Sequence, residues 1–149
     1  MDRAALIETA RALPPVPPAA AAAYVASRDA LVAELDRRMG ARDDLDRLVG
    51  PDNRAMMANN HANHARFVAS VLAELDPEVL VDTVLWVFRA YRSHGFGLAY
   101  WSAQLATWIE VIRDQLPAHA ADIEPLYDWF LVHQPAFVAL SDAQLADGV

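Results

Sequence analysis

The chain has no cysteine. That absence removes disulfides, iron–sulfur clusters, thiolate zinc sites and cysteine nucleophiles together, and it suits a reducing cytoplasm, the compartment expected here. Glycine is scarce, with five in 149 residues against 55% hydrophobic residues, a composition that points to a single globular helical domain over residues 1–149. Basic residues are outnumbered, 12 against 20, for a formal net charge of −8. Such a chain repels phosphate backbones. Its densest basic cluster, Arg37-Arg38 with Arg42, is followed at once by Asp43, Asp44 and Asp46, so nucleic acid is not an expected partner. Long apolar runs are missing as well. A run such as "VLWVF" at 84–88 is far too short to span a bilayer, and "MDRAALIETA" carries an early acid and no signal-peptide core, so no membrane role is expected.

What is present is helical periodicity. Helices are predicted over about 2–13, 19–39, 52–75, 77–93, 97–116 and 119–134, with a short helical turn in "RDDLDRLVGP" between the second and third of these. "PPVPP" at 14–18 reads as a stiff turn, because proline stops one helix and opens the next. Asp76-Pro77-Glu78 is a compact helix start that sets helix 77–93 against helix 52–75 after a tight turn. Helix 77–93 is apolar nearly all round, which predicts a central position. Pro135 is expected to kink or end the last long helix, with Ser141 and Gln144 as a capping box for a final short turn. Nothing alternates with period two, so the predicted class is all-α, a bundle of six or seven helices.

Helix 52–75 carries an anomaly, "NNHANH" at 59–64. On a helical wheel His64 falls with Val68, Val71 and Leu75 at the middle of the apolar stripe. Asn60 and Asn53 lie close beside it, His61 lies at its margin, and Asn59 and Asn63 point outward. Polar groups so placed need partners. The tight turn at 76–77 brings position 94 level with 59–61, so His94, with Tyr91 and Arg92 beside it, should join His61, His64 and Asn60 at one end of the pair. Three readings of the cluster compete. It is a hydrogen-bonded layer that fixes register and binds nothing; or it caps a small-molecule pocket between helices, lined by Trp86, Phe88, Trp101 and Trp108; or His61, His64 and His94 ligate a metal. No Glu-x-x-His pair is present for a carboxylate di-metal site. Phosphate loops, nucleophile elbows, and kinase or zincin signatures are also absent, so nothing points to catalysis.

The helix order, with His64 in the helix before the tight turn and His94 at the end of the one after it, resembles the globin-like superfamily. "YRSHGFGLAYW" at 91–101 is similar to the proximal stretch of bacterial sensor globins. The resemblance implies haem or another tetrapyrrole, with His94 as the axial ligand and His64 and Asn60 hydrogen-bonding whatever is bound. "MGARDDLDRLVG" lacks the aromatic that globins set against haem, in keeping with haem-free stress-sensor domains of bacteria in the same superfamily. The expected role is a small regulatory or sensory module that binds a small molecule or cofactor near His94, His64, Asn60, Trp101 and Tyr91. The alternative is a protein-interaction or assembly subunit, with self-association into a homo-oligomer as one form of it, that uses the acidic surface and helix 19–39 as its contact face.

Overall fold

A computed structural model describes residues 1–147. Seven helices account for most of them: α1 Arg3–Arg11, α2 Pro18–Gly40, α3 Leu45–Val49, α4 Arg54–Ala73, α5 Pro77–Ser93, α6 Leu98–Gln115 and α7 Ala120–Ala146. No strand occurs among the described residues. No helix among them is long and apolar enough to cross a membrane.

The starts of these helices are written locally. The Asp2 carboxylate caps α1 by accepting from the Ala5 N–H. The Asp76 carboxylate accepts from the N–H groups of Glu78 and Val79, with Pro77 at the first position of α5, where its missing N–H costs nothing. Pro18 opens α2 in the same way. Between α3 and α4 the chain turns at Gly50 with φ at 86°, a backbone conformation that favours glycine. A side chain there would also press on the Gly95 carbonyl, 3.1 Å from the position its first carbon would take. The α3–α4 turn thus packs against the α5–α6 turn, an apposition closed by the Gly97 N–H donating to the Leu48 carbonyl at 2.7 Å.

One continuous core runs through the bundle. Its most enclosed helix is α6, which buries Tyr100, Trp101, Gln104, Leu105, Trp108, Ile109, Val111 and Ile112 and packs on α2, α7 and α3. Helix α5 lies less centrally than its all-round apolar pattern implies. It buries Leu80, Val81, Val84, Leu85 and Phe88, while Val79 and Trp86 stay 52% and 57% exposed.

Pro135 does not end the last helix. α7 runs through both Pro125 and Pro135 to Ala146. The lost hydrogen bond of an internal proline is offset by tertiary contacts beyond it. Phe137 is fully buried and its ring lies 5.9 Å from that of Phe88. The Arg92 guanidinium donates to Ser141 Oγ at 2.6 Å and pairs with Asp142 at 2.5 Å. Ser141 is therefore a buried anchor inside a helix, and Ser141 and Gln144 do not form a capping box.

Candidate functional site

Consecutive helices α4 and α5 pack chiefly on different neighbours, α4 on α2 and α5 on α7 and α1. The gap between them is an apolar cleft of about 200 Å³. Asn60, Asn63, His64 and Phe67 of α4 form one wall and Thr83, Val84, Trp86, Val87, Phe88 and Tyr91 of α5 the other. Trp101, Gln104 and Leu105 of α6 and Phe130 of α7 close the inside. The aromatic walls are ordered: the Phe88 and Trp101 rings stack at 4.7 Å and Tyr91 meets Trp101 edge-on at 5.9 Å.

The polar groups of α4 divide between this cleft and the core behind it. Asn60 is buried. Its Oδ1 accepts from the Tyr100 hydroxyl at 2.7 Å and from Gln104 Nε2 at 2.9 Å. His64 is half-buried, with its ring stacked 4.9 Å from that of Trp108. Its Nε2 sits 3.0 Å from the Tyr127 hydroxyl, which in turn lies 2.9 Å from the Tyr24 hydroxyl. Burial among these rings disfavours the imidazolium and pushes the His64 pKa down to about 3, with nearby His61 adding in the same direction. Burial also holds the phenols of Tyr100, Tyr127 and Tyr24 above their ordinary range. At neutral pH this network is uncharged.

His61 points elsewhere. It is fully buried, with Nδ1 2.6 Å from Asp36 Oδ1 of α2 and Nε2 enclosed without a partner among the described residues. Burial lowers its pKa, opposed by the hydrogen bond and charge of Asp36. The wheel placed His64 at the centre and His61 at the edge; in the structure His61, Ala65, Val68 and Leu72 are the buried line. Two features of the sequence turned the wheel. Ala65 and Ala69 are buried but contribute little to an apolar pattern, and Leu75 lies beyond the end of α4.

His94 is not brought to this cluster. It is the exposed C-cap residue of α5, and it does not line the cleft. Its carbonyl accepts from Asn53 Nδ2 at 2.8 Å, an amide that also donates to the Val49 carbonyl at 2.8 Å. The level opposite His94 is therefore Asn53, not 59–61. Among the described residues no group of three or more His, Asp or Glu side chains is placed to hold a metal ion, so His61, His64 and His94 do not form a metal site. A histidine-ligated tetrapyrrole does not fit either. No histidine stands on the α5 wall, His64 Nε2 is engaged by Tyr127, and the cleft falls below the roughly 300–1,000 Å³ of pockets that hold even drug-sized ligands.

Of the residues expected at the site, Asn60, His64, Tyr91 and Trp101 line the cleft and His61 and His94 do not. Gln104, Tyr100 and Tyr127 were missed. Gln104 carried a signal: it sits three residues after Trp101 and four before Trp108, a polar residue within the apolar stripe of α6. No family model matches the chain, and neither a curated protein nor a solved structure matches it.

Proposed function

We propose that this chain is a small regulatory module that takes up a small molecule in the cleft between α4 and α5. One observation carries the reading: an apolar cleft holds polar groups that the protein leaves without partners. Asn60 Nδ2, Gln104 Oε1 and His64 Nδ1 have no hydrogen-bond partner among the described residues, and all three residues line the cleft. Apolar walls with a few convergent polar groups are the usual make-up of a ligand site. A ligand spanning the cleft would bridge two helices that otherwise pack on different neighbours, which gives binding a route to a change in the bundle.

Toluene, a single-ring apolar probe, tests the site. At ten times its Kd it should stabilise the fold by about 1.4 kcal/mol, a rise in Tm of about 3–6 °C. Val87→Phe, which adds bulk at the half-buried cleft wall, should abolish the rise while circular dichroism stays unchanged. A Tm indifferent to toluene, or an equal rise in Val87→Phe, would contradict the reading.

The rival reading, an assembly subunit whose polar contacts only hold register, draws on the exposure of Trp86 and Val79 on α5. It predicts self-association or a bound protein partner lost in Trp86→Ala; a monomer at all concentrations, with no partner, counts against it.

A further inference from the structure

The two amides of the cleft say more about its ligand than the apolar walls do. When two carboxamides pair fully, each donates to the other. Asn60 and Gln104 make only half of that pair: Gln104 Nε2 donates to Asn60 Oδ1 at 2.9 Å, and the return bond from Asn60 Nδ2 to Gln104 Oε1 is not made. The Tyr100 hydroxyl takes the other acceptor site on Asn60 Oδ1, which leaves that oxygen satisfied and fixes the amide's orientation. A donor, Asn60 Nδ2, and an acceptor, Gln104 Oε1, are left over on two residues that both line the cleft.

Size and charge narrow the occupant. An apolar cavity of about 150 Å³ admits benzene, and drug-sized ligands need about 300 Å³ or more. A cleft of about 200 Å³ suits one ring with a small substituent. Among the described residues no Asp, Glu, Lys or Arg lines it. Arg66 and Arg89 adjoin lining residues without themselves lining the cleft, and Arg92 is committed to Ser141 and Asp142. A charged ligand would lose its hydration with no opposite charge in the lining to offset the loss.

Resting on the cleft's being a ligand site, we infer that it takes an uncharged single-ring aromatic compound bearing a carboxamide or an equivalent N–H/C=O edge. The ligand carbonyl accepts from Asn60 Nδ2 and its N–H donates to Gln104 Oε1, while the ring lies against Phe88, Trp101 and Phe130. His64, neutral in its aromatic surroundings, offers Nδ1 as a third polar contact.

Four probes of nearly one shape separate the possibilities by calorimetry or NMR titration: benzamide, toluene, benzoate and benzamidinium. Benzamide should bind about thirtyfold tighter than toluene, the net worth of two ordinary hydrogen bonds, and both ions should bind more weakly than toluene. Asn60→Asp keeps an oxygen for Tyr100 and Gln104 but replaces the donor with an acidic acceptor. It should favour benzamidinium over benzamide. If that variant does not fold, the four-probe comparison on the unaltered protein decides alone. Equal affinity for toluene and benzamide would overturn the donor–acceptor inference and leave the apolar site standing. Benzoate or benzamidinium binding as well as benzamide would overturn the uncharged class. Binding of none of the four would overturn both the inference and the site.

Discussion

The His64 Nε2 and the Tyr127 hydroxyl lie 3.0 Å apart, so this imidazole of α4 is held by α7 and not by the α5 wall of the cleft. The Tyr24 hydroxyl, 2.9 Å from that of Tyr127, extends the chain to α2. Tyr127 is the middle member, and its single hydroxyl serves both neighbours.

Replacing the middle member should therefore cost more than replacing the end. Tyr127→Phe leaves the Tyr24 hydroxyl and His64 Nε2 without their partner and should cost about 2–3 kcal/mol, whereas Tyr24→Phe leaves Tyr127 bonded to His64 and should cost about 1 kcal/mol. Urea denaturation of both variants measures the difference. Equal losses would show that the chain does not act as a linked network.

The same burial makes stability depend on pH. His64 titrates at about 3 in the fold against 6.5 ordinarily, and His61 is also lowered. Below pH 6.5 the unfolded chain takes up protons that the folded one refuses. The His64 contribution is thus whole above pH 6.5 and is lost progressively as pH falls towards 3, at up to about 1.4 kcal/mol per pH unit. In His64→Phe, stability measured by urea midpoints between pH 6.5 and 4 should fall less steeply than in the unaltered protein. Parallel pH curves would contradict this.

Helix α7 continues past Pro135 on the strength of contacts from α5. Arg92→Ala removes the bonds to Ser141 and Asp142 and should raise amide exchange over residues 136–146 by about tenfold while leaving α6 unchanged, since that segment opens locally once unfastened. Unchanged exchange there would mean that Phe137 burial alone holds the segment.

Much of the fold was readable because its signals are local. Asp76-Pro77-Glu78, the proline run before α2 and the spacing from Trp101 to Ile112 each specify structure within a few residues, and the helices stand close to the expected limits. Pro135 was misread because its cost is local while the contacts that offset it, through Phe88 and Arg92, come from another helix. The site was readable only on one side. Asn60 and His64 stood out as polar residues in an apolar stripe, but their partners Tyr100, Gln104 and Tyr127 lie 40, 44 and 63 residues away, and no periodicity within α4 encodes them. His94 was placed opposite 59–61 by assuming a regular helical pair. α4 and α5 pack on different neighbours, and their divergence is what makes the cleft.

Whether the cleft holds an uncharged ligand on Asn60 is tested most directly by the nitrogen–proton correlation spectrum of the side-chain amides during a benzamide titration. The Asn60 Nδ2 protons should shift saturably, while those of Asn53, already bound to Val49 and His94 carbonyls, stay in place. An Asn60 amide that does not move at saturating benzamide, or moves no more than that of Asn53, would contradict the assignment.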